Sequence, residues 1–154
     1  MDDTALRMMQ MAASGLCCSQ IMIALALDAQ DRDNPDLVRA MAGLCNGMGD
    51  CSEACGALAG GSCVIALYAA RGAAHETEHE RYALMAAELA DWFRDTVGKA
   101  YGGVRCCQIL GNEDCGQPHR ERCGGIVART FGRCLEILAA NGIDPSEGKV
   151  ESDV

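Results

Sequence analysis

Aromatic residues make up only 4% of the 154-residue chain, and proline occurs three times. A core must therefore be built from Ala, Leu, Ile, Met and Cys. Positive charge is also scarce: 13 Lys and Arg stand against 22 Asp and Glu, a net charge of −9. Such an acidic chain repels phosphate backbones, which argues against nucleic acid and anionic membrane surfaces as partners. No stretch alternates apolar and polar residues with β-branched enrichment, so strand signals are absent. No pair of cysteines has CxxC spacing, which removes thioredoxin-type motifs, most zinc ribbons and CxxCH haem attachment. The opening Met1-Asp2-Asp3-Thr4 lacks the basic region of a secretory signal, and a cytoplasmic location is expected.

What is present is 49% hydrophobic residues, enough to exclude wholesale disorder, and eleven cysteines. An odd number leaves at least one thiol unpaired, and a chain of this length can form a core without staples. The cysteines therefore read as metal-binding or redox residues of a cytosolic protein rather than as a secreted disulfide framework.

Helical patterning predicts an all-α, single-domain bundle over residues 1–145 with an acidic tail over 146–154. Helices are expected over 4–13, 17–29, 35–44, 50–70, 75–100, 104–110 and 120–140. Pro35 suits a first helical position, and Asp50-Cys51-Ser52-Glu53 resembles a capping box opening the fourth helix. Residues 8–27 carry no charge, but Gln10, Ser14, Gly15, Ser19 and Gln20 interrupt them. Residues 54–70 are also uncharged, short for a membrane span and rich in Gly and Ala. Both read as buried helices, with 54–70 at the centre of the bundle.

Any site built from Cys17, Cys18, Cys45, Cys51, Cys55, Cys63, Cys106, Cys107, Cys115, Cys123 and Cys134 must be assembled from distant segments. Cys18, Cys55, Cys106 and Cys123 each fall near a predicted helix start, where free N–H groups favour thiolates and anionic metal–thiolate centres. Cys63 and Cys134 fall mid-helix among apolar neighbours and read as core. Gly56, Gly60 and Cys63 share a helical face, which lets either another helix or a bulky ligand approach closely.

These residues resemble a known family. Cys55-Gly56-Ala57-Leu58-Ala59-Gly60 matches the CGAxxG signature of the C_GCAxxG_C_C family of redox-active proteins. Gly15-Leu16-Cys17-Cys18-Ser19-Gln20 resembles its first cysteine segment, and Gly47-Met48-Gly49 its glycine-rich approach to the signature. Tyr101-Gly102-Gly103-Val104-Arg105-Cys106, followed by Ile109-Leu110-Gly111, resembles the third segment, and Cys123 the fourth. The resemblance spans about residues 12 to 140. It implies a helical redox protein with four cysteines in one site, at Cys18, Cys55, Cys106 and Cys123. The family is also similar to the cluster-binding part of split-Soret cytochromes, which implies an iron–sulfur cluster, [2Fe-2S] ahead of [4Fe-4S]. Cys17, Cys51, Cys107 and Cys115 are additional to the pattern. They leave the choice between Cys17 and Cys18, and between Cys106 and Cys107, open.

Two other functions compete with a cluster-based electron-transfer role. One is an iron-free thiol protein that binds zinc or soft metals, or cycles a disulfide. The other follows from His75-Glu76-Thr77-Glu78-His79, a literal HExxH, which on a helix would place two imidazoles on one face as in zinc peptidases. Its charged surroundings fit a water-facing turn better, and His75 and His79 are expected to do no chemistry. A homodimer that shields the redox site is expected, with a redox partner protein the sequence does not identify.

Overall fold

The computed structural model describes residues 2–111 and 119–149. Its helices are α1 (Asp3–Ala13), α2 (Cys18–Ala29), α3 (Pro35–Met41), α4 (Gly56–Ala69), α5 (Tyr82–Phe93), α6 (Lys99–Tyr101), α7 (Cys106–Leu110) and α8 (Arg120–Ala140). A 3-10 turn, Ala42–Leu44, continues α3, and the wide turn Arg94–Gly98 joins α5 to α6. Among the described residues there is no strand, and the all-α expectation holds. None of these helices is long and apolar enough to cross a membrane.

Local chemistry accounts for the helix starts. Asn34 accepts a hydrogen bond from Leu37 N–H at 3.1 Å, and Pro35 occupies the first turn of α3. His119 caps α8, its Nδ1 accepting from Arg122 N–H at 3.2 Å. Cys17, Cys55 and Arg105 stand at the extended positions that open α2, α4 and α7.

Helix α4 lies at the centre and packs on α2, α5 and α8. Its small residues explain how three neighbours fit around it. A methyl on Gly60 would come within 2.9 Å of Met22 Cβ in α2. One on Gly61 would come within 3.1 Å of Leu89 in α5 and of Thr130 in α8. Helix packing therefore accounts for these two glycines, and their propensity cost of about 1 kcal/mol each is offset by close contact. Met22, Ile65, Leu89, Phe93, Val97 and Leu138 fill the core without exposure to solvent.

Two predicted helix starts are overturned. The fourth helix begins at Gly56, not at residue 50. Asp50 instead accepts hydrogen bonds from Ser52 N–H and Oγ, and Gly47–Cys51 winds into a tight turn. Asn46, Met48 and Cys51 there have left-handed backbones, with φ of 52°, 62° and 64°. The predicted helix over 75–100 starts only at Tyr82. Before it, the Glu76 carboxylate accepts from Gly72 N–H, and His79 N–H donates to Ala69 O at 2.8 Å. These local bonds compete with the helical ladder and close a loop instead. Helix α8 has the predicted bounds. Most of the loop predicted over 111–118, with Cys115, lies outside the described residues, as do 150–154 of the predicted tail.

Candidate metal or redox centre

The Gly47–Cys51 turn, the first residue of α2, the start of α4, the start of α7 and the first turn of α8 gather on one side of the bundle. An antiparallel bridge between Ala54 and Arg105 aligns two of them. Cys55 N–H donates to Val104 O at 2.8 Å, and Cys106 N–H donates to Glu53 O at 2.9 Å. This short pairing sets Cys55, just before α4, beside Cys106, the first residue of α7. Gly47 packs under Cys106 so closely that a methyl there would lie 2.8 Å from Cys106 Cβ and from Glu53 O. Arg122 ties α8 to the same corner by donating to Ile109 O at 2.8 Å and lying 5.2 Å over the Tyr101 ring.

Cys18, Cys55, Cys106 and Cys123 all belong to this corner, and their electrostatics show the proximity. Burial pushes the Cys55 thiol up to about 11; N–H groups of Ala57 and Leu58 oppose that, while negative charge on Cys18 and Cys123 adds to it. Burial also raises the Cys18 thiol, against hydrogen bonds from the backbone of Asn46, Ser19, Cys18 and Gly56. Burial raises Cys106 strongly, helped by its hydrogen bond with Cys51 and by charge on Cys51, Cys55 and Cys18. Cys123 is raised by burial and by Cys18, while the His119 backbone and Arg122 act the other way. Desolvation disfavours a bare thiolate at each position, and at Cys18, Cys55 and Cys123 backbone hydrogen bonds return part of that cost. The thiols are neighbours without forming a ready-made set: among the described residues, no three His, Cys, Asp or Glu make a metal-holding group.

Two cysteines add features that the spacing did not reveal. Cys51, 1% exposed, packs with Cys106 and Leu110, and Cys107 and Cys123 pack against that cluster. Its left-handed backbone turns the side chain inward; the only sequence signal was the Gly47-Met48-Gly49 run before it. Cys17 forms a disulfide with Cys45, 28 residues away, beside the Cys18 thiol. Nothing local marks Cys45 as a partner.

The remaining cysteines lie elsewhere. Cys134 is fully buried in α8, its thiol pushed up to about 12 by burial, and its Sγ donates to Gly61 O at 3.6 Å. Cys63 is half-buried against the core from α4.

The HExxH residues are not on a helix. His75 is exposed, and the His79 Nδ1 accepts from Arg81 N–H at 3.1 Å. The Glu76 carboxylate receives Lys149 Nζ at 3.3 Å, and Lys149 also donates to Ala70 O. The paired imidazoles and free carboxylate that a zinc peptidase needs are not assembled here.

The chain matches no curated protein and no solved structure. The model of one family matches residues 16–137, from the residue before the disulfide into the last helix, and its description reads "Putative redox-active protein". That span takes in every segment of the thiol corner, and the chain belongs to the C_GCAxxG_C_C family.

Proposed function

We propose that the protein holds an iron–sulfur cluster and serves as a redox or electron-transfer protein, with Cys18, Cys55, Cys106 and Cys123 as ligands. The observation that supports this reading is the convergence on one corner of the four separate segments that carry these thiols, with backbone groups hydrogen-bonding to the sulfurs of Cys18, Cys55 and Cys123. The donor set fits the group. Thiolates are the usual ligands of iron–sulfur clusters, and hydrogen bonds to sulfur tune their potentials. When bound, the cluster would supply one-electron transfer. The chain's own residues would anchor it, share its negative charge through the N–H groups and Arg122, and exclude water through Leu110 and the neighbouring helices. The [2Fe-2S] form is favoured over [4Fe-4S] on the resemblance to split-Soret cytochromes.

The test is iron and acid-labile sulfide analysis with an absorption spectrum, on protein made and kept without oxygen. Serine at Cys18, Cys55, Cys106 or Cys123 should abolish or reshape the visible spectrum, while serine at Cys63 or Cys134 should leave it intact. If Cys17 and Cys107 prove essential instead, the ligand assignment fails and the cluster survives. Colourless protein holding zinc or no metal sinks the cluster reading. A thiol protein then takes its place, a second reading supported by the Cys51–Cys106 hydrogen bond within the same corner.

A further inference from the structure

We infer that Cys17–Cys45 is a reversible dithiol–disulfide switch whose closed form shields Cys18. The bond lies outside the four proposed ligands, yet it is one residue from Cys18 along the chain. Its other half, Cys45, is one residue from Asn46, whose backbone hydrogen-bonds to the Cys18 sulfur. Disulfide, two peptide links and that hydrogen bond form a small closed circuit around the Cys18 thiol. Opening the disulfide breaks the circuit at its covalent point and leaves the 45–51 turn held over Cys18 only by weaker contacts.

The surroundings of both sulfurs suit thiols. Gln20 Nε2 donates to Val38 O at 3.2 Å, which fixes the amide so that Oε1 faces Cys17. That oxygen accepts from Cys17 N–H at 3.2 Å and lies 3.3 Å from Cys17 Sγ. It has a lone pair for a Cys17 S–H, which the disulfide lacks. On the other side, Ser19 Oγ donates its one proton to Met41 O at 2.7 Å and lies 2.9 Å from Cys45 Sγ. Ser19 therefore offers Cys45 a lone pair, again of use to a thiol. Each half-cystine meets an acceptor that only the reduced form can satisfy, and this offsets part of the loss of the bond on reduction.

Access decides the order of events. Cys45 is 7% exposed, whereas Cys17 is only half-buried. The thiolate of a dithiol reductant attacks Cys17 Sγ, forming a mixed disulfide as the Cys17–Cys45 bond breaks. Cys45 leaves as a thiolate, takes a proton from water and donates it toward Ser19. The second thiolate of the reductant then attacks its own sulfur in the mixed disulfide. Cys17 is released and protonated, facing Gln20. The protein gains two electrons and two protons, and the dithiol becomes a cyclic disulfide.

The consequence for loading concerns Cys18 as a ligand and so rests on the cluster reading; the switch itself does not. The experiment uses the full-length chain freed of metal by chelation and equilibrated in dithiothreitol redox buffers. Peptide mass spectrometry follows the Cys17–Cys45 linkage, and iodoacetamide labelling follows Cys18. The linkage should form and vanish reversibly. Cys18 should label about tenfold more slowly in the oxidised form, because a thiol's reaction rate follows its access to solvent. Cys17→Ser should label at the fast rate at every poise while keeping its helical circular dichroism. The proposal is overturned if the linkage never forms in folded protein, or if Cys18 labels equally fast in both forms. Iron analysis is a separate measurement, so failure of the cluster reading and failure of the switch are distinguishable.

Discussion

Cys18 Sγ occupies the space that a Cβ on Gly56 would take, so the first residue of α2 and the first residue of α4 meet without a side chain between them. Gly56 belongs to the CGAxxG run, and this contact gives its missing side chain a site-level reason that Gly60 and Gly61 do not share. Gly56→Ala should displace the Cys18 sulfur and lower iron bound per folded chain severalfold. Gly60→Ala should instead overpack α4 against α2, costing about 1–3 kcal/mol while iron per folded chain is retained. Denaturant melts combined with iron assays separate the two effects.

The core cysteine should behave as a small hydrophobe. Cys134→Ala removes a buried sulfur and its weak bond to Gly61 O. A loss of about 1–2 kcal/mol is expected, with no change in the visible spectrum. A bleached spectrum in stably folded C134A would contradict this.

Stability of the metal-free protein should fall at alkaline pH. Burial holds the Cys55 thiol at about 11 and Cys134 at about 12 in the folded chain, above the ordinary value of 9.0. Above pH 9 the unfolded chain has lost these protons and the folded chain keeps them. The unfolded state then binds fewer protons, and stability declines as pH rises. The slope for a fully buried thiol approaches about 1.4 kcal/mol per pH unit, until pH reaches its folded value. Urea melts at pH 8, 9 and 10 under reducing conditions check this; a flat profile would contradict it.

Metal uptake should show the opposite trend. Burial keeps the four corner thiols protonated near neutrality, so a soft divalent ion such as cadmium must displace protons to bind. Apparent affinity should rise with pH between 6 and 8, about tenfold per unit for each proton released. Sulfur-to-cadmium charge-transfer absorption reports it, and an affinity indifferent to pH would argue against thiol ligation.

Replacing both His75 and His79 by Ala should leave metal content unchanged. The exchange removes the His79 acceptor for Arg81 N–H, at an exposed turn, and should cost less than about 1 kcal/mol. Loss of bound iron in the folded double variant would restore the histidines to consideration.

The helical class, the last helix and the central place of the Gly- and Ala-rich segment were legible along the chain. Helical periodicity, caps and breakers are local, and residues 120–140 carry a complete set of them. The CGAxxG run and the order of the cysteine segments were enough to point to the family, because motif and order survive in one dimension. Features that depend on long-range approach were not legible there. Asp50 and Ser52 form a turn rather than a cap because Gly47–Cys51 must fold beneath Cys106. Residues 75–81 leave the helix because Glu76 finds Gly72 and Lys149, the latter 73 residues away. The Cys17–Cys45 link and the contact of Cys51 with Cys106 have no local signature either. A disulfide or a thiol contact needs two sulfurs brought together in space, and only the packing of α2, α4, α7 and the 45–51 turn brings these together.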